Sequence, residues 1–178
     1  MKLESDTIRL RAVEPSDIDI LYLWENDPEI WTVGESITPY SRYELEKYIL
    51  SEGDIFANKQ LRLMIDCKKN DGYHTVGTID LFDFNPVHGR AGLGILIYLP
   101  ENRKKGYASE SLNILIEYAF TVLNLRVLYC NISAGNRTSV RCFEKAGFKK
   151  CGIKRSWNNT PNGREDEIML QLIRKEND

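Results

Sequence analysis

Long hydrophobic runs are missing from this sequence, and with them any segment of the roughly 18 apolar residues that a membrane-crossing helix needs. The N-terminus, Met1-Lys2-Leu3-Glu4-Ser5-Asp6, has no apolar stretch of the kind a secretory signal carries, so the expected compartment is the cytoplasm. Histidine is scarce: His74 and His88 are the only two, and the four cysteines, Cys67, Cys130, Cys142 and Cys151, include no C-x-x-C pair. A zinc site and a disulfide framework are both disfavoured, no metal is expected, and the cysteines read as buried, reduced thiols acting as small hydrophobes. Neither G-x-x-x-x-G-K-[ST] nor G-x-G-x-x-G occurs, which removes a Walker phosphate loop and a dinucleotide fingerprint. Repeats, linkers and low-complexity tails are absent as well.

What is present is an ordinary globular composition, 42% hydrophobic, 10% aromatic and 28% charged over 178 residues, enough for one domain with its own core. That domain is expected to span 1–178, with its core over 7–174. The net charge of −2 conceals an asymmetry: residues 1–60 hold 6 Lys/Arg against 13 Asp/Glu, whereas residues 101–155 hold 11 against 4. Such a separation suits an anionic ligand at one place and a cationic one at another, although two solvated faces would give the same counts.

Periodicity supplies the element order. Thr7 to Val13 alternates like a strand, and Glu14-Pro15-Ser16-Asp17 opens a helix carrying Ile18, Leu21 and Tyr22. Asn26 to Tyr40, with Pro28, Gly34 and Pro39, reads as an irregular loop of the length that often carries function. Ser41-Arg42-Tyr43-Glu44 is a capping box for a second helix ending near Glu52-Gly53. From Leu61 the period becomes two, with Leu61, Leu63, Ile65 and Cys67 facing inward and Arg62, Met64 and Asp66 outward, as in a half-buried strand. Asn70-Asp71-Gly72 turns into a partner strand over 75–84. Leu93 to Leu99 is nearly continuously apolar, as a central strand covered on both faces would be, and Pro100 ends it. A helix with Leu112, Leu115, Ile116, Ala119, Phe120 and Leu123, a strand over 127–132, a helix over 136–146, and strands over 148–153 and around Ile168 to Leu172 complete a mixed α/β arrangement around a twisted sheet.

The most informative stretch joins the apolar strand to the following helix through Arg103-Lys104-Lys105-Gly106-Tyr107-Ala108-Ser109. A helix N-terminus offers unpaired N–H groups and the positive end of its dipole. Gly106 and Ala108 let an anion approach closely, and the basic side chains add charge. A phosphate or pyrophosphate fits such a turn, as does a merely well-started helix.

Arg103-Lys104-Lys105-Gly106-Tyr107-Ala108 resembles the (Q/R)-x-x-G-x-(G/A) acetyl-CoA motif of the GNAT N-acetyltransferases. Asn136-Arg137-Thr138-Ser139 and Phe143-Glu144-Lys145-Ala146-Gly147-Phe148 are similar to that family's downstream N-x-x-S and (Y/F)-E-K-x-G-F signature. The resemblance covers nearly the whole chain. Segments 84–91 and 119–125 are most similar to the bacterial spermidine N-acetyltransferases, and the ribosomal-protein N-terminal acetyltransferases share much of the pattern.

The resemblance implies a mostly antiparallel twisted sheet with a splayed parallel strand pair and flanking helices, and acetyl-CoA as co-substrate. It implies that the backbone of Ile97, Tyr98 and Leu99 pairs with the pantetheine arm, that N–H groups from Lys105 to Ser109, including those of Gly106, Tyr107 and Ala108, hold the pyrophosphate, and that Arg103 and Lys104 lie near the phosphates. Asn136 and Ser139 match positions that contact the cofactor, Asn136 equally being a helix N-cap. Phe143 is counted with the cofactor-facing positions and stands where many relatives carry a proton-donating tyrosine. Tyr98, Tyr107 and Tyr129 are the substitutes, unless CoA leaves as a thiolate.

For catalysis, the N–H of Tyr98 or Leu99 is the expected oxyanion donor by the same resemblance. Glu35, with Asp80, Asp83 and His88, is a candidate for the amine side, where Trp24, Trp31, Tyr40 and Tyr43 could stack on alkyl-ammonium groups. The acidic N-terminal region makes a small cationic amine, above all a polyamine such as spermidine, the leading acceptor. A peptide α-amine is the runner-up, and a non-catalytic acetyl-CoA sensor is the rival from another class. A pI of about 5.8 argues against nucleic-acid binding, no membrane partner is expected, and relatives that form homo-oligomers leave that state open.

Overall fold

The computed structural model describes residues 2–31, 38–51 and 53–175. Seven strands form one sheet: β1 (Ile8–Ala12), β2 (Leu61–Lys69), β3 (Gly72–Asn85), β4 (Arg90–Ile97), β5 (Val127–Ser133), β6 (Lys149–Thr160) and β7 (Gly163–Ile173). Their order is β1-β2-β3-β4-β5-β7-β6, and every neighbouring pair is antiparallel except β4 and β5. The helices are α1 (Ile18–Glu25), α2 (Pro28–Trp31), α3 (Arg42–Ser51), α4 (Ile55–Asn58), α5 (Tyr107–Thr121) and α6 (Arg137–Lys145).

Local chemistry sets several boundaries. Ser41 and Glu44 exchange the two bonds of a capping box, Ser41 N–H to Glu44 Oε2 at 2.8 Å and Glu44 N–H to Ser41 Oγ at 3.1 Å, and so start α3. Asn136 caps α6 by accepting from Ser139 N at 3.2 Å. Gly147 (φ 97°) releases the chain from α6 in a left-handed conformation that a Cβ would strain.

Two apolar layers flank the sheet. The larger, with Ile65, Ile79, Leu81, Leu93, Leu112, Leu115, Leu128 and Phe143, lies on the α5 and α6 side; the smaller gathers Val13, Leu21, Trp24, Leu45, Ile49 and Met64 under α1 and α3. β2 is therefore buried on both faces rather than half-buried as its alternation suggests. Asp66, 2% exposed, tolerates this because Arg9, Arg11 and Thr75 all bond to it, and Arg11 reaches on to Asp17. Salt-bridged polarity mimics a solvent-facing pattern in sequence.

Other expectations shift. The segment read as wholly irregular contains α2, started by Asp27, whose carboxylate accepts from Glu29 N at 2.9 Å, with Pro28 at the first helical position. A four-residue helix is too short to show a period. α4, capped by Asp54, escaped notice for the same reason. β4 begins at Arg90, earlier than the apolar run, because Ala91 and Gly92 are buried without being bulky. Cys67 and Cys130 are buried free thiols as expected, but Cys142 is half-buried and Cys151 is exposed on β6, which has a neighbouring strand only on its β7 side. Among the described residues no helix is long and apolar enough to cross a membrane.

Candidate active site

β4 and β5 are neighbours in the sheet, yet they pair over only three positions, Arg90 to Gly92 against Val127 to Tyr129. Beyond them β5 stays with β7 as far as Ser133, while β4 continues with β3 alone to Ile97. The two strands diverge, so the β5-facing edge of β4 from Leu93 onward has no strand partner. Main-chain donors and acceptors left in this way call for another extended ligand or water.

At the closed end the Phe82 ring lies over Gly92, where a Cβ would overlap it, and meets Tyr129 edge-on at 5.8 Å between centroids. Tyr129 in turn donates to Asp83 at 2.8 Å, and burial, then this bond, push its phenol up to about 12. A second close approach lies nearer the open end, where a Cβ on Gly77 would overlap the Leu96 carbonyl.

At the open end, β4 runs through Tyr98 and Leu99 into a tight turn (Pro100–Asn102), the basic loop and α5. Lys104 (φ 61°) and Gly106 (φ 91°) are both left-handed, which bends the loop into a concavity at the start of α5. Gly106 is required for its backbone rather than for space, since a Cβ there would meet only Glu110 Oε1 at 3.6 Å. The N–H groups of Tyr107, Ala108 and Ser109, in the first helical turn, have no intrahelical acceptor, and exposed Lys104 and Lys105 add positive charge. Ser109 Oγ lies 3.6 Å from Cys142 Sγ, joining α5 to α6, while the Asn136 carbonyl oxygen is occupied as the α6 cap.

The Arg103 guanidinium takes a different course from the one expected. It bonds the carbonyls of Ile97 (3.1 Å) and Tyr98 (2.9 Å), at the end of β4. Phe143 departs further. At 2% exposure it is packed edge-on against Phe148 at 5.1 Å, so its side chain fills the core rather than facing a ligand.

Of the two backbone groups offered as oxyanion donors, the Tyr98 N–H is committed to Val76 O at 3.1 Å. Leu99, 42% exposed, has no acceptor for its N–H among the described residues. The Tyr98 ring stacks on buried Trp24 at 5.0 Å, and its hydroxyl donates to Asp27 at 2.7 Å. That bond pushes Tyr98 up to about 12 and, with the Glu29 N–H, holds the Asp27 carboxyl below the usual carboxylate range. Tyr107 is also raised, by burial and by Cys67.

Beside Tyr98 opens a hollow of about 580 Å³ lined by Asp19, Tyr22, Leu23, Asn26, Asp27, Pro28 and Arg42. A cation already sits in this setting: Arg42 pairs with Asp19 at 2.5 Å and lies over the Tyr22 ring at 4.8 Å. Asp27 was not singled out in the sequence; the Asp-Pro helix start was the signal available.

The other amine-side candidates are placed elsewhere. Asp80 is bound by Arg62, which also holds Glu25, and burial raises the Asp80 carboxyl. Asp83 serves Tyr129, and His88 lies in the β3–β4 turn. Trp31 donates to Glu25 O, and Tyr43 is exposed beneath Lys47. Glu35 lies outside the described residues.

A family model, the Acetyltransferase (GNAT) domain, matches residues 7–149. The chain belongs to the GNAT acetyltransferase family. It is an acetyl-CoA-dependent N-acetyltransferase. Among relatives, it is 31% identical over 147 residues to the spermidine N(1)-acetyltransferase of Vibrio cholerae serotype O1, covering 82% of this chain and 80% of that one. To the spermidine N(1)-acetyltransferase of Escherichia coli K12 it is 29% identical over 142 residues, 80% of this chain and 73% of the relative. The solved structure of spermidine N-acetyltransferase from Vibrio cholerae in complex with CoA and spermine superposes with a TM-score of 0.81 at 25% identity, covering 95% of this chain and 96% of that one. The splayed β4–β5 pair is the GNAT arrangement that the sequence resemblance implies.

Proposed function

We propose that this GNAT enzyme acetylates a primary amine of a small polyamine such as spermidine, by direct attack within a ternary complex formed on one domain. The observation that carries the reading is the meeting of two opposite charge environments at Tyr98 and Leu99: the basic concavity at the start of α5 on one side, the Asp19 and Asp27 hollow on the other. The spermidine-acetylating relatives support it.

In this reading the edge of β4 from Leu93 onward, apart from the Ile97 and Tyr98 carbonyls that Arg103 holds, takes the amide groups of the pantetheine arm as a further strand would, setting the depth of the thioester. The N–H groups from Lys105 to Ser109 receive the pyrophosphate, with Lys104 and Lys105 adding charge. Asn136 and Ser139 are taken as further cofactor contacts on the strength of the family motif alone. Two substrates held in line convert a bimolecular encounter into an effectively unimolecular one.

The amine must lose a proton to attack. Asp27, held ionised, is too weak a base for that and instead anchors a second ammonium of the polyamine. Glu35, which lies outside the described residues, is the proposed acceptor of the proton. As the tetrahedral centre forms, the Leu99 N–H receives its oxygen. A thiolate is a weaker base than the phenoxide of a phenol at about 12, so Tyr98 and Tyr129 are poor acids toward the sulfur and CoA leaves as the thiolate.

The test is thiol release from acetyl-CoA with spermidine, spermine or basic N-terminal peptides as acceptor, with products identified by mass. Mono-acetylated spermidine is expected. Turnover confined to peptides, or CoA binding without release, would overturn the reading.

A further inference from the structure

The two peptide units at the end of β4 can be accounted for group by group. In the Ile97–Tyr98 unit the N–H is bound to Val76 O and the carbonyl to Arg103 Nε; in the Tyr98–Leu99 unit the carbonyl is bound to an Arg103 terminal nitrogen. Only the Leu99 N–H is left, among the described residues, without an acceptor. Successive carbonyls of a regular strand point to opposite sides, so one guanidinium reaching both means that the chain turns at Tyr98. Because the C=O and N–H of a trans peptide point opposite ways, holding the Tyr98 carbonyl fixes the direction of the Leu99 N–H.

We propose that Arg103 is a positioning residue for acetyl transfer: its guanidinium clamps the Ile97 and Tyr98 carbonyls so that the Leu99 N–H stays free and directed at the developing oxyanion. The inference rests on the reading of Leu99 as that donor. The planar fork suits two carbonyls at once, as a single ammonium does not, and a cation on the Tyr98 carbonyl polarises its peptide and strengthens the N–H on the other side. A guanidinium committed in this way is turned from the phosphates of CoA, so its loss should spare cofactor affinity.

Three variants test this in the full chain, each assayed for kcat, for KM and for CoA affinity by calorimetry. Leu99→Pro deletes the donor itself at a residue whose φ of −76° already suits proline, and kcat is expected to fall by about 10²–10³. Arg103→Ala is expected to lower kcat by roughly ten- to a hundredfold, less than deletion of the donor, with CoA affinity preserved. Arg103→Lys should recover only part of that loss. Added guanidinium should raise the kcat of Arg103→Ala and not that of Leu99→Pro, a response that a merely structural arginine would not give. Unchanged kcat in Leu99→Pro would remove the donor reading beneath the proposal. A lost kcat in Leu99→Pro beside an unchanged kcat in Arg103→Ala, or weakened CoA binding at unchanged kcat in Arg103→Ala, would overturn the role of Arg103 itself.

Discussion

The two ends of β4 are built in opposite ways. At Arg90 to Gly92 the strand has a neighbour on both sides, with a bulge in β3 opposite Ala91, and Gly92 is covered by the Phe82 ring. From Leu93 onward one side is paired with β3 and the other has no strand partner, only Arg103 reaching the Ile97 and Tyr98 carbonyls, next to a loop with two left-handed residues and a helix start. The same strand is thus core at one end and, in the proposed mechanism, a binding edge at the other. Incomplete pairing, which a purely structural sheet would avoid, marks where chemistry is done.

Substitutions at the two ends should separate function from stability. The largest effect beyond Leu99→Pro is expected at the open end. Gly106→Val forces a β-branched residue into φ 91° and should cost about 1–3 kcal/mol of backbone strain, locally relieved by distorting the loop. Acetyl-CoA affinity, followed by calorimetry, should fall by well over tenfold while the melting temperature drops by only a few degrees. Comparable losses of fold and affinity would mean that the loop is structural.

At the closed end the reverse is expected. Gly92→Ala drives a methyl into the Phe82 ring, and overpacking of this kind costs about 1–3 kcal/mol. Thermal denaturation should show that loss, and Phe82→Leu in the same chain should recover part of it. CoA affinity should change little. If Gly92→Ala instead abolishes CoA binding at an unchanged melting temperature, the division of β4 into two ends is wrong.

The smallest effect is expected for Tyr98→Phe. The Trp24 stack is kept, Asp27 loses the hydroxyl that holds its carboxyl down, and its pKa rises toward the ordinary carboxylate value. Because that value is still well below neutrality, the kcat profile above pH 6 should keep its shape, within about threefold in magnitude, if CoA leaves as the thiolate. A hundredfold fall at every pH below about 12, where the wild-type phenol still carries its proton, would identify Tyr98 as the acid.

Much of this was legible in the residues. The capping box at Ser41, the turn at Gly72, the seven strands and the basic loop before α5 all depend on near neighbours in sequence, where local rules apply. The positions that resisted are governed by contacts that no local period or motif announces, some near in sequence and some distant. Asp66 looks solvent-facing until Arg9, Arg11 and Thr75 converge on it, and Phe143 looks ligand-facing until Phe148 meets it. Arg103 sits in a basic run that suggests phosphate, yet its direction is set by carbonyls exposed where β4 ends. Asp27 gains its role only when the C-terminal end of α1 is brought beside Tyr98.

In the proposed mechanism the one-sided end of β4 and the loop before α5 together receive acetyl-CoA. Amide hydrogen exchange on the full chain, with and without CoA, tests it most directly. Slowed exchange is predicted over Leu93–Leu99 and Lys104–Ser109, with the amides of Arg90–Gly92 unchanged because they are already paired. Protection that appears elsewhere and leaves both segments untouched would contradict the account.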